Sequence, residues 1–216
     1  MTDEQKSKAL SIEPDKLNRI LNAAMSEFNK GFKKASTDII VKEAGISKGL
    51  LFHYFGNKEN LHEFILMYAV DVVVKEYFEL INFEQRDILE RMWQTILLKI
   101  ELSYKHPMMF DFLTTAYKEN HNGVIAGMYG KIMGEFLPRF FTDIDESLFK
   151  DGVDPKMATN IIYWAQTGYA NAQLEQLKST DIADFQKEYE RYLQEIQEYF
   201  NLFRKILYKE SKEKTS

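Results

Sequence analysis

An all-α chain is expected, on three observations. Apolar residues recur at intervals of three and four from Leu17 to Leu207, the spacing that builds one face of a helix. No run of alternating apolar and polar residues bounded by turn residues reads as a strand. The breaks between the apolar stripes carry the Gly, Pro, Ser, Asn and Asp residues that start or stop helices.

Residues 1–12 carry little periodic signal and are expected to fray or to lie extended. Pro14 suits a first helical turn, Leu17, Ile20, Leu21, Ala24 and Phe28 form the stripe that follows, and Gly31 ends it, with Phe32 tucked back into a small core. Ser36 has the chemistry of an N-cap, Ile40 and Ala44 give one apolar edge, and Gly45 can take the left-handed conformation that closes a short helix. Ile46 plugs the corner. Ser47 can cap a second short helix whose Leu51 and Phe55, four apart, face inward, which leaves Lys48, Gly49, Leu50, His53 and Tyr54 outside. Gly56 breaks that helix and Asn57 caps the next, whose stripe of Leu61, Phe64, Ile65, Tyr68 and Val72 continues to about Ile81. Further helices are expected over 84–104, 107–120, 122–149, 155–178 and 182–210. Pro107 suits a first turn, Pro138 should kink or divide its helix, and Asp154-Pro155 and Ser179-Thr180-Asp181 read as helix starts. The tail from Lys209 is a solvated end.

A hydrophobic fraction of 45% in 216 residues is enough to build a real core, so the chain is globular. With no cysteine there is no disulfide framework, thiolate metal site or cysteine nucleophile, which suits a reducing, cytoplasmic location. Met1 to Glu13 has no apolar run of signal-peptide length, and no window reaches the ~20 apolar residues of a membrane span, so no membrane partner is expected. His53, His62, His106 and His121 lack metal-ligand spacing, and each is expected on an outward face. Neither a Gly-rich phosphate loop nor a nucleophile elbow is visible. No cofactor, metal or catalytic site is expected. The net charge of −5 conceals an asymmetry, since residues 1–61 carry +2 and the remainder −7. A modest +2 implies few ion pairs with phosphate and more weight on base contacts and geometry.

Two short helices joined at a glycine turn are the means by which one helix is presented to the major groove. Ala44-Gly45-Ile46-Ser47-Lys48-Gly49, Phe52-His53-Tyr54-Phe55 and Asn57-Lys58-Glu59-Asn60-Leu61 together resemble the DNA-binding domain of the tetracycline-repressor (TetR) family of bacterial transcriptional regulators. The likeness covers roughly residues 14–62. Lys48 is placed to donate to guanine O6 or N7 or to a phosphate, Gly49 allows close backbone approach, Leu50 can meet a thymine methyl, and His53 and Tyr54 can donate to phosphate or a base edge. The resemblance implies phosphate contacts at Ser36, Thr37, Ser47, Tyr54 and Lys58, although both serines can be caps alone and Tyr54 can be half core. Phe52 stands where many members have tyrosine. Asp38 lies where basic or neutral residues often face DNA. Its carboxylate can accept from a cytosine amino group, point away, or pair with Lys42 one turn on.

Beyond that segment the resemblance implies a larger helical domain for effector binding and dimerisation, so the expected division is 1–56 and 57–216. Trp93, Tyr104, Met109, Phe112, Tyr117, Met133, Phe136, Tyr163, Trp164 and Thr167 fall on the helices that in such regulators enclose a small molecule. Taken singly, each of these large side chains is as well explained by core packing. No charged residue stands out there, which favours a largely apolar effector. In the last helix Tyr189, Ile196, Phe200 and Phe203 belong to one long apolar stripe, and the helix before it offers Ala165, Gly168 and Ala172 for close helix approach. With the family's C-terminal four-helix bundle in view, these seven residues are assigned to a homodimer interface. The expected protein is a dimeric repressor that leaves a palindromic double-stranded operator when a small molecule binds. An activator or adaptor without an inducer stays open, and a helical carrier or enzyme is disfavoured.

Overall fold

The computed structural model describes residues 3–119, 126–127, 130–177 and 182–210, and of residues 3–5, 133, 174–177 and 182–189 the backbone only. Ten α-helices lie among the described residues: α1 (Asp3–Leu10), α2 (Pro14–Phe28), α3 (Thr37–Ala44), α4 (Lys48–Phe55), α5 (Lys58–Glu76), α6 (Ile88–Lys105), α7 (Met109–Lys118), α8 (Leu137–Phe140), α9 (Pro155–Leu177) and α10 (Ile182–Leu207). The fold is all-α, as the periodicity implies. Two compact units form, one from Met1–Asn82 with Gln94–Phe140, the other from Phe83–Trp93 with Phe141–Ser216. Among the described residues no helix is long and apolar enough to cross a membrane.

The start of the chain departs from expectation. Residues 3–10 form α1, which packs against α4 and buries Ala9, and Ile12 just beyond it is buried in the same core. One buried position within so short a helix is too little to register as a stripe. Glu13 caps α2 by accepting from the N–H groups of Asp15 and Lys16, both at 3.0 Å, and Pro14 occupies the first turn, where its missing N–H leaves no bond unmade. Ile20, Leu21, Ala24, Met25 and Phe28 of α2 are all buried.

Glu27 is buried too. Its carboxylate accepts from Lys30 Nζ and, at 3.1 Å, from the N–H of Ser36, so it holds the start of α3 against the end of α2. Burial raises its pKa, but the bonds from Lys30 and Ser36 outweigh that and hold it below the ordinary glutamate value. A depressed pKa in the folded state stabilises the fold above the unfolded pKa, and that contribution is lost as pH falls through the folded one. Glu27→Gln should therefore unfold more easily at neutral pH, by about 1 to 2 kcal/mol. The gap from wild type should narrow as the pH falls below the ordinary glutamate value and close once it passes the lowered one. Thermal unfolding of both proteins across that range checks this, and a gap independent of pH would contradict it.

The later helices differ from their expected limits at definite points. At Tyr77 the backbone leaves the helical region (φ −128°, ψ −69°), so α5 stops at Glu76 and a 3₁₀ turn, Phe78–Leu80, takes over before Ile81. The expected helix over 122–149 instead ends at Phe140. It contains a π-turn over Ile132–Phe136, closed by the N–H of Leu137 donating to Ile132 O immediately before Pro138, which has no N–H to give. Asp143 then takes a positive φ of 54°. Asp154 caps α9 by accepting from Met157 N–H at 2.8 Å. The Ser179-Thr180-Asp181 start lies outside the described residues.

In the second unit Arg91 is completely buried. Its guanidinium donates to the carbonyls of Gln85 (2.7 Å), Phe83 (3.0 Å) and Thr142 (3.0 Å), fastening two loop segments to the first turn of α6. Burial lowers its pKa, and the charge of Asp143 opposes that. Alongside, Asp87 accepts from Arg204 Nη1 and from the Tyr208 hydroxyl, each at 2.9 Å, which ties the end of α10 to the start of α6.

Candidate nucleic-acid interface

The corner between α3 and α4 is built by local chemistry. Gly45 takes the left-handed conformation (φ 66°, ψ 39°) that lets α3 end, and a side chain there would be strained. Ser47 accepts from Leu50 N–H at 3.1 Å and so caps α4, while Leu51 and Phe55 sink fully into the core. Arg19 of α2 donates to Ala44 O at 3.2 Å, which braces the corner from behind. What remains outside is Ser47, Lys48, Gly49 and His53, all exposed, with Leu50, Phe52 and Tyr54 half-buried. A Cβ added at Gly49 would meet no atom within 4 Å, so the fold itself does not require glycine there.

Three of the expected roles change. Ser36 has the extended backbone of an N-cap, but its side chain makes no cap bond, and Glu27 meets its N–H instead. Asp38 does not pair with Lys42: its Oδ1 stands 2.7 Å from Lys48 Nζ, across the corner. Lys58, expected at phosphate, is half-buried and donates to Ala35 O at 2.6 Å, with its ammonium 4.7 Å from the centre of the Phe32 ring. Thr37 is half-buried at the start of α3. Asn57 caps α5 as expected, through Asn60 N–H at 2.7 Å.

His62 corrects a further expectation, because it is buried and not on a surface. It sits edge-on among Phe28 (4.8 Å), Phe32 (5.2 Å) and Phe112 (5.4 Å). Phe112 belongs to α7, so this aromatic cluster joins α7 to the helices that carry the corner. A second link lies at the end of α7, where Glu119 accepts from Phe32 N–H at 3.0 Å. Gly31 has φ 97°, where a side chain would be strained, and a Cβ there would fall 2.6 Å from Glu119 Oε1 and push that carboxylate aside. Periodicity could not have announced this contact between residues 87 positions apart.

The residues assigned to an effector pocket are placed as follows. Met109 and Phe112 are wholly buried in the core that α2 and α5 share with α7. Tyr104 and Tyr117 are more than half exposed. Phe136 is buried against Phe78, ring centres 4.8 Å apart. In the second unit Trp93 packs edge-on to Phe200, Tyr163 packs edge-on to Phe141, Thr167 is half-buried, and Trp164 is 65% exposed. Met133 falls outside the described side chains.

The residues assigned to an interface divide between the inside and the outside of the second unit. Ile196 and Phe200, assigned to the interface, are buried within the unit, and Phe203 is half-buried. Among the described side chains of α10, the large apolar groups that face outward are Tyr199, Leu202 and Ile206. On α9 the expected Ala165, Gly168 and Ala172 are exposed, and Met157, Ile161 and Trp164 extend the same surface. A cleft of ≈ 220 Å³ lies between Ala165, Gln166 and Tyr169 of α9 and Ile196, Tyr199, Phe200 and Phe203 of α10. Tyr169 donates its hydroxyl to Glu195 and stacks on Tyr192. Tyr189 is outside the described side chains. Among the described residues no group of acidic or histidine side chains could hold a metal ion.

With this geometry in hand, the comparisons are direct. Residues 20–63 match the model of bacterial regulatory proteins of the tetR family. No curated protein matches the chain by sequence. Solved structures share the fold over nearly the whole length. A TetR family transcriptional regulator from Chloroflexus aurantiacus superposes with a TM-score of 0.62 at 13% identity, covering 94% of this chain and 98% of the other. The ketosteroid transcriptional regulator KstR2 of Mycobacterium tuberculosis gives 0.58 at 17% identity, over 92% and 97%. The TetR family protein CprB from Streptomyces coelicolor gives 0.56 at 16%, over 94% and 90%.

Proposed function

We propose that this chain, a DNA-binding regulator carrying the tetR-family helix-turn-helix, is a dimeric repressor that leaves a palindromic operator when a small, largely apolar molecule binds. The observation that carries the DNA reading is α4 itself: a capped helix with two inward anchors and an outward face of Ser47, Lys48, Gly49 and His53. That face lies inside the segment matched by the family model. Thr37, Leu50 and Tyr54 contribute to the same surface with part of their area, and Ser36 through its hydroxyl, which makes no cap bond. A glycine the fold does not need at position 49 leaves room for a close approach to the groove.

A palindromic operator calls for two copies. One short recognition helix covers half a site, and two must reach successive major grooves about 34 Å apart on one face of the duplex. The outward apolar groups of α9 and α10 supply a self-complementary surface for such a pair.

The switch runs through α7. Because Met109 and Phe112 are part of the core behind the recognition helix, and Glu119 holds Phe32 N–H, a molecule that displaces α7 displaces the reader with it. By linkage, operator DNA then weakens the effector by the factor with which effector weakens DNA. Glu119→Gln keeps the size but weakens a charge-assisted bond. It is expected to leave operator affinity within about threefold of wild type and to reduce the effector's influence on it about fivefold, the ratio being read by titrating DNA with and without effector. Selection of duplexes from a random pool, followed by a small-molecule screen on the selected complex, tests the whole reading. Recovery of unrelated sequences without two-fold symmetry would end it.

A further inference from the structure

On the reading that α4 enters the major groove, we propose that Asp38 is a specificity-determining residue which acts with Lys48 as one unit to read a single G·C base pair in each half-site. Lys48 is the one permanent cation of α4, at its first position, and Asp38 lies in the first turn of α3. The two side chains meet at 2.7 Å, with Asp38 71% and Lys48 50% exposed, so their remaining polar atoms are open to a partner.

The ammonium has three donors, and even with one turned to Asp38 two remain. The carboxylate keeps a free oxygen. Two donors beside one acceptor match the major-groove edge of G·C, which offers guanine N7 and O6 as adjacent acceptors and then the cytosine amino donor. An A·T edge offers acceptor, donor, acceptor, and so leaves one of the lysine donors facing a donor.

Asp38 also acts by subtraction. Paired with it, Lys48 contributes no net positive charge to a surface facing phosphate, so attraction to arbitrary DNA is weakened. An exposed ion pair contributes roughly 0 to 1 kcal/mol, so it gives way easily once base edges supply the same bonds. Asp38 thus lowers affinity for wrong sequences more than for the right one.

The test uses the full chain and three proteins, wild type, Asp38→Ala and Asp38→Asn, each checked by thermal unfolding, which an exposed substitution should leave within a few degrees. Duplex selection with wild type should return one G·C position per half-site that Asp38→Ala no longer enforces. At that position the discrimination against A·T should fall about tenfold, and Asp38→Asn, whose amide both donates and accepts, should shift preference toward adenine. On random-sequence duplex the affinity of Asp38→Ala should rise, and its dependence on salt should steepen by about one unit per subunit. The same base preference and the same salt dependence in Asp38→Ala as in wild type would overturn the proposal while leaving DNA binding intact. A wild type that binds no duplex would remove the underlying reading and this one with it.

Discussion

Arg91→Met should lower the stability of the second unit by about 3 kcal/mol, because it removes a fully buried guanidinium that donates to the carbonyls of Phe83, Gln85 and Thr142. Methionine keeps most of the volume, so the loss reports hydrogen bonding and not a cavity. The readout is unusually clean. The chain has two tryptophans, Trp93 and Trp164, and both belong to the second unit, so fluorescence during urea unfolding follows that unit alone. A midpoint unchanged from wild type would mean that water satisfies the carbonyls as well as the guanidinium does.

The second large effect concerns assembly. Leu202→Glu should give a folded monomer, since Leu202 is half exposed in the single chain and its replacement disturbs nothing inside. In a two-fold dimer the carboxylate is buried twice, at a cost of about 3 kcal/mol for each copy, which is enough to separate the subunits at micromolar concentration. Phe200→Ala should behave differently. Phe200 is 2% exposed, so truncation should unfold the unit by about 3 to 5 kcal/mol before any effect on association is visible. Sedimentation of both variants, with their unfolding curves, separates the two cases. A dimeric Leu202→Glu would place the interface elsewhere.

The contrast between Leu202 and Phe200 shows how much helical spacing alone can say. Ile196, Phe200 and Phe203 repeat at helical spacing, and so do Tyr199, Leu202 and Ile206 on the same helix. Period alone finds both stripes and cannot say which one faces its own unit. The corner around Gly45 was legible because the signals are local: a left-handed glycine, Ser47 reaching three residues on, and Leu51 four residues from Phe55. Asn57 and Pro14 are legible for the same reason. Glu119, Arg91 and the Asp38–Lys48 pair were not, since each acts across a chain separation or a helix corner that no spacing rule encodes. Met109 and Phe112 are legible as large apolar residues, but their place in the core shared by α2, α5 and α7 depends on how α7 meets α2 and α5.

That shared core sets the boundary of what could be exchanged between relatives. The sequence invites a cut at Gly56, after the recognition helix. Cut there, Phe28 and Phe32 would lose His62 and Phe112, the rings that complete their cluster, and the amide of Phe32 would lose its carboxylate. The smallest portable reader therefore runs through α5 and takes α7 with it. Modularity in this chain belongs to a cluster of rings and not to a stretch of residues, so a graft that changes operator preference while keeping effector response must respect the ring cluster first.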